Sequence, residues 1–121
     1  MGIKSFLTTD IETKERKQDP LLQTHYFRHN YKTVKEAFLK YAETNQYVVK
    51  SINDTHHEIY VSKKNHYIIA TITQINPAET GLDLKVGYET FFGLNRPKKT
   101  VLEIYTYMKS HLTFKGTGLN A

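Results

Sequence analysis

Apolar and polar side chains alternate through residues 55–89 in three runs separated by turn-forming residues. His57, Ile59 and Val61 alternate with His56, Glu58 and Tyr60; residues 66–75 continue the pattern after Lys63, Lys64 and Asn65; beyond Pro77, Leu82, Leu84, Val86 and Tyr88 alternate with Asp83, Lys85, Gly87 and Glu89. A period of two between turn signals predicts three successive antiparallel strands, each buried on one face only. Such a meander cannot cover its own apolar face, so amphipathic segments elsewhere in the chain must do so.

Two segments have that character. Thr33, Val34, Lys35 and Glu36 read as a capping box that starts a helix. Val34, Ala37, Phe38, Tyr41 and Ala42 then recur at helical spacing, and Asn45 reads as a left-handed stop. In the second segment Asn95 is the expected cap, Pro97 falls in the first turn where its missing N–H matters little, and Val101, Ile104, Tyr105, Met108 and Leu112 form the stripe. Further strands are expected over residues 24–30, with His25, Phe27 and His29 on one face, and over residues 46–52. The predicted architecture is α+β: an antiparallel sheet of about five strands in the order β-α-β-β-β-β-α, with both helices packed on one face. Residues 1–22 are read as an N-terminal arm, 23–113 as a single domain and 114–121 as a C-terminal tail.

This element order resembles the β-α-β4-α arrangement shared by half-repeats of the TATA-binding protein and, in elaborated form, by helix-grip ligand-binding proteins. The resemblance covers residues 24–112 and implies a fold rather than a function. The stretches Asp10-Ile11-Glu12-Thr13-Lys14-Glu15-Arg16 and Phe114-Lys115-Gly116-Thr117-Gly118-Leu119 resemble those of small uncharacterised cytosolic bacterial proteins, a likeness that implies no catalytic residue.

Composition narrows the chemistry. With 121 residues the chain fits one domain, and the lack of cysteine removes disulfides, thiol catalysis and thiolate metal sites together. A reducing, cytoplasmic setting is the expectation. No apolar run approaches the roughly 20 residues of a membrane span, so no membrane association is expected. The net charge of +5 is uneven: residues 28–50 carry five cations and two carboxylates, 76–95 one and three, and 96–121 five and one. Anionic partners are therefore among the candidates.

The six histidines do not form a metal-binding pattern. His56 and His57 are neighbours expected on opposite faces of a strand, and His25 and His29 are about 13 Å apart if extended, too far to share one ion. Asp54, Glu58, Asp83 and Glu89 fall at turns or on the wet face, without the apolar setting that tunes a catalytic carboxylate. The expectation is no catalytic residue, no metal and no cofactor.

Two features remain as candidate sites. Arg96, Lys98 and Lys99 gather where the second helix begins, beside free N–H groups, and could bind an anion; the plain alternative is a solvated basic turn. On the sheet face away from the helices, Tyr60, Tyr67 and Ile69, with Lys85 beside them and Tyr47 and Val49 also placed outward, form an aromatic and aliphatic patch suited to an interface. Tyr and Ile are also common on any strand. The sequence thus points to a non-enzymatic binding or interaction module, self-associating or taking a protein partner. The alternatives are nucleic-acid binding, with Tyr60 and Tyr67 stacking on bases and Arg28, Lys63, Lys64 and Lys85 near phosphates, and a small apolar-ligand pocket of the helix-grip kind.

Overall fold

In a computed structural model of the chain, which describes residues 8–89 and 96–118, the alternating runs become strands of a single antiparallel sheet. The elements are β1 (Thr8–Glu12), β2 (His25–Phe27), α1 (Tyr31–Thr44), β3 (Val48–Asn53), β4 (Glu58–Lys63), β5 (His66–Asn76), β6 (Glu79–Glu89), α2 (Arg96–His111) and β7 (Phe114–Thr117). The fold is α+β, and the sheet has seven strands in the order β3-β4-β5-β6-β2-β7, with β1 also paired to β6.

The two additional strands lie in the segments read from sequence as arm and tail. The length of β6 accounts for the first, and pairing with β2 for the second. One edge of β6 pairs with β5 along its whole length, while the other takes β2 at its start and β1 at its end. β1 and β2 are thus one interrupted strand, and β7 extends the sheet beyond β2. Between them residues 14–23 leave the sheet and return. The neck is closed by Lys14 N–H donating to the Leu22 carbonyl at 3.1 Å and Thr24 N–H to the Lys14 carbonyl at 3.2 Å, and Leu22 at the base is buried in the core.

Alternation puts Ile59, Val61, Ile68, Ala70, Ile72, Leu82, Leu84 and Val86 on one face, where they join Val34, Phe38, Tyr41 and Ala42 of α1 and Val101, Ile104, Tyr105 and Met108 of α2 in one core. Both helices therefore cover the same side of the sheet. Phe38, Tyr41, Tyr105 and Met108 fill the space between the layers, as the apolar stripes required.

Local details differ from the sequence reading. The α1 cap is Asn30, whose Oδ1 accepts from Thr33 N–H at 2.9 Å, so Thr33 lies inside the helix and its capping box does not form. Asparagine is at least as good a cap as threonine, and the upstream start gains a turn. The left-handed residue after α1 is Gln46 (φ 63°), whereas Asn45 stays at φ −97° and donates its side-chain amide to the Tyr41 carbonyl. His57, expected on the inner face of a strand, sits in the β3–β4 turn at φ 56° with its ring 5.0 Å from that of Tyr31. Asn95 and the Phe91-Phe92 pair lie outside the described residues; Pro97 is buried in the first turn of α2.

Candidate interaction surface

The three cations at the start of α2 are exposed but do not converge on one point. Lys98 Nζ is 3.1 Å from Asp19 Oδ2, at the tip of the 14–23 loop. The Asp19 carboxyl is held below its ordinary range first by the Leu21 N–H, donated at 2.9 Å, and then by Lys98. Arg96 instead lies on the side of His66, where its charge opposes protonation of that ring. The charge that disfavours a helix N-terminus is thus answered at Lys98 by a carboxylate of the same chain.

On the face opposite the helices, Tyr60 and Tyr67 meet edge to face with centroids 6.0 Å apart. The register aligns Tyr60 with Ile69 and Ile69 with Lys85, while Tyr67 stands opposite Gly87. A Cβ at Gly87 would stand 2.6 Å from Tyr67 Cζ, because the ring lies flat across the strand at that glycine. Tyr67, Ile69 and Lys85 are half-buried and Tyr60 is exposed, so the structure brings the four sequence-selected residues together. Tyr47 and Val49, also placed outward from sequence, are on the other face. Tyr47 precedes β3 and bonds to His66 at 2.7 Å, and Val49 pairs with the inward Val61.

The same outer face carries Asp10, Glu12, Glu58 and Asp83, along with Lys14 and Lys85. Of the other cations proposed to meet phosphates, Lys63 lies 4.6 Å over the Tyr47 ring rather than beside Tyr60 and Tyr67. The electrostatic setting of the tyrosines is acidic.

A polar network that the sequence reading missed fixes this face at the neck of the loop. Asp83 accepts from the Thr13 hydroxyl at 2.7 Å and the Thr24 hydroxyl at 2.8 Å. The Thr13 oxygen in turn accepts from Leu84 N–H at 2.9 Å, and Tyr105 donates to the Leu82 carbonyl at 2.8 Å. Burial pushes the Asp83 carboxyl up, and the two hydroxyls oppose that shift. Beside it the Tyr26 hydroxyl donates to Glu15, and the Tyr26 ring lies over Gly81, where a Cβ would come within 2.9 Å of it. All these groups satisfy one another, which marks them as structural.

The histidines are dispersed, and among the described residues no three His, Asp or Glu side chains converge as a metal site. His25 is 1% exposed, stacked on Tyr105 with centroids 3.4 Å apart, and donates from Nδ1 to the Gln23 carbonyl. His66 stacks on Tyr88, donating from Nδ1 to Asn65 Oδ1 and accepting the Tyr47 hydroxyl at Nε2. Burial lowers both pKa values to about 4, with Lys63 and Arg96 adding to the effect at His66 and Lys109 at His25.

The largest apolar exposure lies at the β3 margin. All six residues of β3 are exposed, with Val48 58%, Val49 45% and Ile52 42% accessible, because β4 is its one neighbour among the described residues. Between β3 and α1 runs an open groove of about 710 Å³, floored by Leu39, Tyr47, Val49 and Ile52 and rimmed by Glu36, Lys40 and Glu43. Tyr60 borders the margin on the outer face through its pairing with Ser51. The other sheet edges are protected: β7 has four residues, with Lys115 held 2.9 Å from Glu79, and β1 carries Asp10 and Glu12. None of the helices among the described residues is long and apolar enough to cross a membrane.

Comparison with known proteins finds no matching family model, no matching curated protein and no matching solved structure.

Proposed function

We propose that this chain is a non-enzymatic interaction module that takes up a polypeptide along the β3 margin of its sheet, with the adjoining Tyr60, Tyr67 and Ile69 strip as the outer border of the contact. The observation that supports this is an unpaired edge strand exposed on every residue and carrying three large apolar side chains. An added strand would satisfy the free N–H and C=O groups of β3, while its alternate side chains would enter the groove against α1. The basic start of α2 is not part of this surface, since Lys98 is engaged by Asp19. The acidic surroundings of Tyr60 and Tyr67 weigh against nucleic acid there, because phosphate binding depends on releasing counterions at clustered cations.

Selection of displayed linear peptides against the immobilised protein tests the proposal, with the double variant Val49→Lys/Ile52→Lys as counter-target. Both sites are exposed, so circular dichroism should report an unchanged fold. Enrichment of extended sequences with alternating apolar residues, bound at least about tenfold more weakly by the variant, is the expected outcome. Peptides that bind both proteins equally, or no enrichment by protein that light scattering shows to be monomeric, would overturn the reading.

A further inference from the structure

We infer that the occupant of the β3 margin is a second copy of this chain, paired antiparallel about a two-fold axis passing between Lys50 and Ser51. This rests on the reading just given and specifies its partner and register. A two-fold interface must be complementary to itself, and the residues of β3 meet that condition in one register.

The pairing of β3 with β4 shifts at Lys50: Val49 stands opposite Val61, and Ser51 opposite Tyr60. The extra residue brings Val49 and Ile52, three apart, to the same face, opposite the inward-pointing Val61 and Ile59. An axis between Lys50 and Ser51 sets Val49 against Ile52 of the second copy, and Ile52 against Val49, so the two apolar pairs form a strip beneath the joined grooves. Moving the axis onto Lys50 would oppose the two Lys50 residues and set Val49 against Ser51. Moving it onto Ser51 would set Lys50 against Ile52. A slip in register thus removes the apolar match, which is how a buried face specifies pairing.

Lys35 Nζ lies 3.2 Å from Asp54 Oδ1, so α1 starts beside the end of β3 and runs antiparallel to it. Along the groove rim the charges read Glu36, Lys40, Glu43. The two-fold brings two such rows side by side in opposite directions, on the same side of the joined sheet. Reversal sets like charges of the two rows level with one another, so the rim adds no attraction and the apolar match of Val49 with Ile52 alone selects the register. Val48 meets Asn53 on the outer face, and the two seven-stranded sheets become one.

The absence of cysteine makes the register directly measurable. Residues opposed across an antiparallel pair have Cα atoms about 4.5–5.5 Å apart, within disulfide reach, whereas two copies of position 49 would be offset by three residues, about 10 Å along the strand. Val49→Cys and Ile52→Cys are made as single variants and oxidised alone and mixed, while light scattering over a dilution series measures mass for the wild type, Ile52→Lys and Tyr67→Glu. The expected result is a wild-type dimer, weakened about tenfold or more by Ile52→Lys, with covalent dimer from the mixture and little from either variant alone. A dimer dissociated by Ile52→Lys that cross-links within each single variant would overturn the register while leaving the β3 margin as the binding surface. A dimer indifferent to Ile52→Lys but dissociated by Tyr67→Glu would overturn both the inference and the reading beneath it. A wild-type monomer throughout would overturn the second copy as occupant, and the peptide selection would then judge the margin alone.

Discussion

Replacing Thr13 by valine should unlock the loop that joins β1 to β2, and the size of the effect follows from what its hydroxyl does. Thr13 is buried, and its oxygen both donates to Asp83 at 2.7 Å and accepts from Leu84 N–H at 2.9 Å. Valine keeps the shape and removes both bonds. An orphaned buried N–H costs about 1–3 kcal/mol, and a hydrogen bond to a charged group contributes about 1.5–3 kcal/mol. Asp83 keeps its bond from Thr24, so part of the second term survives. A destabilisation of about 3 kcal/mol is expected, or roughly 10 °C in Tm for a chain of this size. Urea unfolding followed by circular dichroism measures it, with Thr13→Ser, which keeps the hydroxyl, losing no more than about 1 kcal/mol. The gap between Thr13→Val and wild type should narrow as pH falls through the carboxylate range. Loss of the Thr13 donor raises further a carboxyl that burial already pushes up, and protonated Asp83 no longer needs that donor. Equal stability of the valine and serine variants would refute the assigned role of the hydroxyl.

Acid should destabilise the fold through His25. Its folded pKa of about 4 lies below the ordinary value of 6.5, so the unfolded chain takes up a proton first. Stability present above pH 6.5 is therefore lost on the way down to pH 4, by about 3 kcal/mol if the shift is fully expressed. His66 adds a smaller loss in the same window because it is more exposed. His25→Phe should flatten the dependence of unfolding free energy on pH, and an unchanged slope would count against the buried neutral imidazole. Gly81→Ala should cost about 1–3 kcal/mol, since Tyr26 is buried and held by Glu15, whereas Gly87→Ala should cost less than about 1 kcal/mol because the half-exposed Tyr67 ring can swing aside. Denaturant melts giving equal losses would contradict that distinction. Phe38→Ala, at a fully buried site, should cost about 3–5 kcal/mol by the same assay, and a loss under about 1 kcal/mol would place Phe38 outside the core.

The helices and the central meander were legible because each carries its own period: Val101, Ile104, Tyr105 and Met108 all became core. β1 was not legible because Ile11 is the one large apolar residue in its sequence Thr-Thr-Asp-Ile-Glu, too few to show an alternation. Its order comes from the ladder with β6, a long-range partner that local pattern does not reveal. β7 is four residues long and contains Gly116, so it has too few positions to show an alternation. The basic start of α2 was visible as a charge cluster, but the partner of Lys98 lay about 80 residues away in a segment of no clear period. Of the candidate site, the outward direction of Tyr60, Tyr67, Ile69 and Lys85 followed from period two alone. The side of Val49 did not, because the extra residue at Lys50 inverts the count beyond it.

The β3 margin could not have been found by pattern, because an edge strand and an interior strand with one buried face alternate in the same way; strand order alone distinguishes them. Once the order is known, the three edges can be compared for how each resists unwanted pairing. β7 is short and held by an ion pair, and β1 is acidic. β3 has Lys50 at an extra residue, the device that blunts an exposed edge, yet flanks it with Val48, Val49 and Ile52. A bulge with a cation disfavours most registers, and the apolar neighbours favour the one that matches them. Under the inferred pairing, that combination disfavours indiscriminate strand addition while leaving one register available, as specificity against competing partners requires. On this inference Lys50 has two roles, as a cation that disfavours other registers and, through the shift of pairing at its position, as the reason Val49 and Ile52 share a face.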